Sequence, residues 1–163
     1  MQAQSMAFFG ALAFLGALAT SAPTWADCKD ADPAFRARFS VRAEEVHDTQ
    51  SNLTWQRCTV GQRWEQSSGC AGAPRKFTFD EAQALTNAKW RVPSIEELQT
   101  IVAPYCSEPA VDPDVFPNTP AEHFWSNAFY SPMALYVSFR NGSSNPTYYS
   151  DSRYNVRLVR DGH

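Results

Sequence analysis

Residues 90–98 have the sequence Trp90-Arg91-Val92-Pro93-Ser94-Ile95-Glu96-Glu97-Leu98, and this stretch decides the fold. Proline disfavours the helical conformation in the residue before it, so a helix arriving from upstream ends here. Ser94 and Glu97, three residues apart, have the pattern of a capping box, in which each side chain accepts a hydrogen bond from the other residue's backbone N–H. The stretch therefore predicts a break followed at once by a new helix.

The chain on either side of this break supports two helices. Downstream of Ser94, apolar residues recur at helical spacing, which predicts one buried stripe formed by Ile95, Leu98, Ile101 and Val102. Upstream, Thr78 precedes Asp80 and Glu81, the order expected of an N-cap followed by charges that favour the first turn. We expect one helix to begin after Thr78 and the other after Ser94.

Short strands are predicted toward both ends of the chain. Residues 38–46 and the run from 53 to 58, separated by a polar turn, predict a hairpin whose inward positions are Phe39, Val41 and Val46. Residues 135–140 and 154–160 alternate as strands, and Asn141-Gly142 between them is a turn signal of the tight hairpin type. The sum is an α+β domain of short antiparallel strands, two helices and many loops.

Several residues in these elements have predicted structural roles. The positions of Trp90, Trp125 and Leu158 in their motifs indicate core residues, and Arg157 is expected to be the partner in a structural salt bridge. Trp64, in the glycine-containing loop of residues 61–76, is expected to be a packing anchor.

Residues 103–121 contain five prolines, which predicts a long irregular loop. Asp112 and Asp114 in this loop, with Glu122 just after it, could supply some of the oxygens that calcium needs, but six to eight are required. We therefore interpret these carboxylates as solvated loop charges and expect no metal and no cofactor.

The four cysteines are Cys28, Cys58, Cys70 and Cys106, an even number that predicts two disulfides in an oxidising compartment. Three pairings are open, and we favour Cys58 with Cys70 across a glycine-containing loop, which leaves Cys28 with Cys106. Zinc is disfavoured because no Cys-x-x-Cys occurs and the histidines do not cluster with the cysteines.

The N-terminal residues predict export. An uncharged apolar run over residues 7–20 is too short for a comfortable membrane span, and Thr24-Trp25-Ala26 suits signal peptidase. We expect a signal peptide over residues 1–26, a single domain over residues 27–163, a periplasmic or secreted location, and no membrane insertion once the signal is removed. The 14 basic and 17 acidic residues, a net charge of −3, argue against a nucleic-acid partner.

The best candidate binding surface is the late loop, residues 141–153. Aromatic faces beside an amide and a guanidinium suit sugar rings or a protein partner. The candidate ligand-binding residues are Asn145, Tyr148, Tyr149 and Arg153, with Asp151 among them. A solvated loop with two semi-buried tyrosines is the alternative, and the proline-rich loop is the next candidate surface.

The order of several motifs resembles one bacterial family. They include Leu53-Thr54-Trp55-Gln56-Arg57-Cys58, residues 90–98, Phe124-Trp125-Ser126 and Val156-Arg157-Leu158-Val159-Arg160. The sequence is similar to the Lcl C-terminal domain family, named for the C-terminal domain of a collagen-like adhesin and grouped with C-type lectin-like folds. The resemblance implies that the chain ends meet in one small sheet and that a loop-rich half presents the binding face.

The expected function is binding rather than catalysis. No Gly-x-Ser-x-Gly elbow occurs, and no acid/base pair is marked. His123, beside Phe124 and Trp125, is interpreted as a packed residue with a pH switch as the alternative. Two hypotheses stay open: a glycan-binding, adhesin-like module, or a periplasmic protein-interaction module such as an assembly accessory or an inhibitor of an envelope toxin. The sequence leaves oligomerisation open.

Overall fold

A computed structural model describes residues 27–28, 32–148 and 152–162, and the expected signal peptide lies outside them. This described part of the chain is mixed α and β, with small antiparallel sheets and three short helices. The elements are β1 (Asp27–Cys28), α1 (Pro33–Ala37), β2 (Phe39–Arg42), β3 (Glu45–Asp48), β4 (Leu53–Gln56), β5 (Arg63–Glu65), β6 (Gly69–Ala71), α2 (Phe79–Gln83), α3 (Ile95–Thr100), β7 (Cys106–Ser107), β8 (His123–Tyr130), β9 (Met133–Ser138), β10 (Ser144–Tyr148) and β11 (Val159–Asp161).

A four-stranded sheet of order β11-β4-β3-β2 joins the two ends of the chain. The register aligns Val46 with Trp55 and Trp55 with Val159, and all three side chains are fully buried. The prediction treated residues 38–46 as one strand of a hairpin with residues 53–58. In the structure these residues instead turn at Ala43, where φ is 46°, so that β2 pairs with β3. Val41 was predicted to point inward and this was wrong, because it lies on the edge strand β2 and is 39% exposed, although it pairs with the buried Val46.

A three-stranded sheet of order β10-β9-β8 packs against the helices. The predicted capping box of Ser94 with Glu97 is confirmed at the start of α3. The predicted N-cap Thr78 is confirmed too, and Glu81 completes a second capping box there at the start of α2. Leu98 and Ile101 enter one buried cluster with Phe124 of β8, whereas Phe79 of α2 enters a second cluster with the neighbouring Trp125. The N-terminal arm contains the additional helix α1, capped by Asp32.

The proline-rich segment is irregular apart from β7, as predicted, but it is not a surface loop. Its apolar residues are buried in the core: Ala103, Ala110, Val111, Val115 and Phe116. Asp112 is buried too, so its interpretation as a solvated charge was wrong. Its carboxylate accepts hydrogen bonds from Arg36 Nε at 2.8 Å and from the Tyr105 hydroxyl at 2.9 Å.

Disulfides connect Cys28 to Cys106 and Cys58 to Cys70, the pairing that the sequence analysis favours. The first holds β1 against β7, and the second joins the end of the β4 segment to the β5–β6 hairpin. Each disulfide closes a loop and so lowers the entropy of the unfolded chain. For the shorter loop, between Cys58 and Cys70, this stabilises the folded state by about 3 kcal/mol. Among the described residues, no helix has the length and apolarity to cross a membrane.

Arg157 is fully buried and makes no ion pair with the carboxylates of the described residues, so the predicted salt bridge was wrong. Its guanidinium instead donates to the carbonyl of Gln56 at 3.0 Å and to the Thr119 hydroxyl at 2.6 Å. It also donates to the Arg57 carbonyl and lies 4.7 Å above the Phe116 ring. Burial lowers the pKa of Arg157 to about 9, which still leaves it charged at neutral pH.

Candidate functional site

A shallow groove of about 440 Å³ lies where β8 meets the segment that returns to β11. Its lining combines cations, a carboxylate, an amide and two rings. The lining side chains that matter below are Lys76, Glu122, His123, Arg140, Arg153 and Tyr154.

Three partly exposed rings form a cluster beside this groove. The ring centroid of His123 lies 4.4 Å from that of Tyr136 and 4.8 Å from that of Tyr154, and the two tyrosines are 4.9 Å apart. The sheet register brings them together, since Trp125 of β8 pairs with Tyr136 of β9. Tyr154 is held by backbone hydrogen bonds in both directions with Phe77. Packing against neighbouring rings therefore positions His123, as the sequence analysis predicted.

Two of the predicted ligand-binding residues lie at this cluster. Asn145 of β10 is exposed and pairs in register with Tyr136, which places the two residues side by side across the sheet. Arg153 lines the groove and donates from Nη2 to Glu81 at 2.7 Å and to the Lys76 carbonyl at 3.3 Å. We name the surface formed by His123, Tyr136, Asn145, Arg153 and Tyr154 the aromatic–amide face.

The other predicted residues of the late loop are not placed. Tyr148 belongs to β10, where its backbone pairs with Met133, but its side chain lies outside the described part of the structure. Tyr149 and Asp151 lie outside the described residues altogether. Their assignment to the binding face stays a prediction.

The charges around the groove are mostly paired. Lys76 contacts the Glu122 carboxylate at 2.8 Å, and Asn155 Nδ2 donates to the same group at 2.8 Å. Burial alone would raise the pKa of Glu122, but these hydrogen bonds hold it below its ordinary value. Arg140 is 68% exposed and meets Glu108 only at 3.9 Å, so its guanidinium remains accessible to a ligand.

Sequence reasoning missed the contributions of Tyr136 and Tyr154 to this surface. Tyr136 lies in a strand predicted from alternation, and Tyr154 begins the predicted closing strand over residues 154–160. Both were therefore interpreted as structural residues and not as binding residues. Glu122 was interpreted as a loop charge, and it does border the groove. Across the part of the chain that the structure describes, no three metal-ligating side chains cluster.

His123 should make the stability of the domain depend on pH. Burial lowers its pKa from the ordinary 6.5; the Glu122 charge opposes this, and Arg140 and Lys76 add to it. Between the lowered value and 6.5 the unfolded chain binds more protons than the folded one. Stability therefore rises with pH through this window and is lost as pH falls through it.

A His123→Phe variant keeps a ring against the two tyrosines but cannot titrate. Its melting temperature should fall less than that of the parent protein between about pH 7 and about pH 5, the range in which histidine changes charge. Carboxylate titrations occur in both proteins and cancel in the comparison. Equal losses in the two proteins would show that His123 has no such role.

The fold and the groove define a small disulfide-linked α+β domain that carries aromatic and polar side chains together on one exposed face. The sequence matches the profile of the Lcl C-terminal domain over residues 44–160, and the chain belongs to this family. Comparison with curated proteins and with solved structures found no match.

Proposed function

We propose that this chain is a non-catalytic binding module that recognises a glycan through the aromatic–amide face. The observation that carries the proposal is the cluster of three partly exposed rings between Asn145 and Arg153. A sugar ring presents an apolar C–H face and a rim of hydroxyls. Partly exposed aromatic rings can stack on the apolar face of the sugar, and neighbouring amides and guanidinium groups can form hydrogen bonds with its hydroxyls.

Secretion or periplasmic location fits this role. Two disulfides in a domain of this size are typical of proteins from oxidising compartments. The family is named for a domain of an adhesin, which also favours display outside the cytoplasm, and the expected signal peptide agrees with it. The C-type lectin-like grouping of the fold is part of the same proposal.

A protein-interaction module is the second candidate, and one observation favours it. Beside the turn between β8 and β9, the last two residues of β8 are Phe129, which is 43% exposed, and Tyr130, which is 71% exposed. Exposed aromatic residues are enriched where proteins bind other proteins. A partner docked on this turn would contact the end of the sheet opposite to His123 along β8.

The test is binding on a glycan array by Asn145→Ala and Arg153→Ala variants. If the aromatic–amide face is the binding site, each change should weaken binding about tenfold, the loss of roughly 1.4 kcal/mol expected of a polar contact. The melting temperature should stay nearly unchanged, since exposed ion pairs contribute about 0–1 kcal/mol.

Arg63→Ala is the matched control, because Arg63 also forms an exposed ion pair, with Glu65 at 2.5 Å, and lies outside this face. It should bind as the parent protein does. The glycan proposal fails if the array shows no saturable signal while a protein partner is captured by the parent protein and lost in Tyr130→Ala.

A further inference from the structure

Two tryptophans expected to be packing residues also line one groove, although Trp90 does pack against the second core cluster. Trp64 and Trp90 are only half-buried, and both border a cleft of about 300 Å³ that contains no residue of the aromatic–amide face. We name this cleft the indole groove; its lining includes Glu44, Glu45, Gln56, Trp64, Lys89 and Trp90.

Each indole is held by its own local structure. Trp64 pairs in register with Cys70, so the Cys58–Cys70 disulfide ties its strand down, and the Arg57 guanidinium lies 4.1 Å from its ring centroid. Trp90 follows a turn in which the Asn87 side chain accepts from the Trp90 backbone N–H at 3.0 Å. The two rings therefore have fixed positions before any ligand arrives, which lowers the entropic cost of binding.

A cationic clamp supports Trp90. The Glu45 carboxylate accepts from Lys89 at 2.9 Å and from Arg160 at 2.9 Å. Both cations lie over the Trp90 ring, at 5.1 Å and 5.5 Å from its centroid. These contacts restrain the orientation of the ring and pair the Glu45 carboxylate with two cations.

The groove also holds polar groups without internal partners. Within the described residues, the Glu44 carboxylate and the Gln56 side-chain amide form no hydrogen bond, nor does either indole Nε1. Gln56 is paired in register with Glu45, and both residues line the cleft. Two aromatic surfaces together with an amide, a carboxylate and two N–H donors are the groups that a polyhydroxylated ring requires.

We propose that the indole groove is a second carbohydrate-binding site, one that accepts a neutral oligosaccharide. The apolar face of a pyranose would lie against the indoles, and its hydroxyls would bond Gln56, Glu44 and the indole N–H groups. A neighbouring groove of about 490 Å³ shares Lys89 and Trp90 with it, so a chain of more than one sugar can continue across Trp90.

The charges favour a neutral ligand over an anionic one. Lys89 and Arg160 both pair with the Glu45 carboxylate, whereas Glu44 is exposed and makes no ion pair within the described residues. These two cations and two carboxylates sum to no net charge, and a carboxylated or sulfated sugar would also approach the exposed Glu44 carboxylate, which is unfavourable because like charges repel. The site is independent of the aromatic–amide face, because no residue belongs to both.

The test is isothermal titration calorimetry of the exported protein with maltotetraose, cellotetraose and chitotetraose as the probes. Calorimetry measures the heat of binding, so its signal, unlike tryptophan fluorescence, does not change merely because a variant lacks one tryptophan. At least one probe should bind saturably in the millimolar range, and Trp64→Ala and Trp90→Ala should each weaken that binding at least about tenfold. Gln56→Ala and Glu44→Ala should weaken it as well, and they test the groove even if a tryptophan variant does not fold.

Two controls separate this site from the others. Tyr130→Ala removes an exposed ring elsewhere, and Arg153→Ala removes a group of the aromatic–amide face; both should bind the probe as the parent protein does. Absence of saturable binding by all three probes would overturn the proposal. Binding that survives in all four groove variants, or that is lost in Arg153→Ala, would place the sugar elsewhere.

Discussion

Replacing Arg157 with alanine should lower the free energy of unfolding by roughly 3–5 kcal/mol, the range seen when one partner of a buried charged network is removed. The change leaves hydroxyls of Thr59 and Thr119 and the carbonyls of Gln56 and Arg57 without their donor. Each buried polar group without a partner costs about 1–3 kcal/mol, and desolvation relieved by losing the charge offsets part of this sum. Urea unfolding at neutral pH measures the difference.

Arg157→Met separates the lost hydrogen bonds from the lost volume. Methionine fills much of the space over the Phe116 ring but donates nothing, so it should recover less than half of the loss. Arg153→Ala, the exposed counterpart four residues earlier, should cost within about 1 kcal/mol. If Arg157→Met is as stable as the parent protein, the hydrogen bonds contribute little and Arg157 acts only by packing.

Arg157 also shows where sequence reasoning stops. Alternation along the closing strand marked its neighbours Val156 and Leu158, and a charged residue beside them suggested an ion pair. The partners are instead backbone carbonyls and hydroxyls from segments 38 to 101 residues away, and no sequence pattern indicates a backbone carbonyl that needs a donor. The capping boxes at Thr78 and Ser94 were predictable because all their atoms lie within one turn of helix.

The proline-rich segment illustrates a second limit. Prolines predict irregular backbone, and that much is confirmed, but irregular backbone is not the same as exposed backbone. Val111 and Phe116 are buried in the core. Asp112 is buried beside them, and this is possible because Arg36 and Tyr105 donate hydrogen bonds to its carboxylate. Sequence spacing gives no indication that an arm from the N-terminus supplies the cation.

The candidate site likewise contains some residues that the sequence could indicate and others that it could not. Asn145 and Arg153 were candidates because they stand in a polar, turn-rich stretch without apolar periodicity, and their role in binding stays a prediction. The rings between them come from three separate segments, and the β8–β9 register and the Phe124–Asn155 bridge bring them together. Register depends on the buried face of the whole sheet, which a single sequence does not display.

Trp125→Ala should be the second severely destabilising change, and Trp90→Ala should not. The Trp125 indole is fully buried, and its Nε1 donates to the Phe77 carbonyl at 2.7 Å. Truncating a buried tryptophan costs about 3–5 kcal/mol through lost burial and the cavity left behind. Phe79 and Tyr154 pack on its ring at centroid distances of 5.6 Å and 4.4 Å, so both core and aromatic–amide face would lose their support.

Trp90 is the matched control, because the sequence analysis placed both tryptophans in the core whereas the structure leaves Trp90 half-buried. Its truncation removes less area from the interior and leaves no enclosed cavity, so we expect a loss of about 1–2 kcal/mol. Urea unfolding of both variants at one pH gives the comparison. Equal losses would mean that Trp90 is a core residue after all. Its indole could then not bind a sugar in the indole groove, because a ring packed on both faces inside the core has no face free for a ligand.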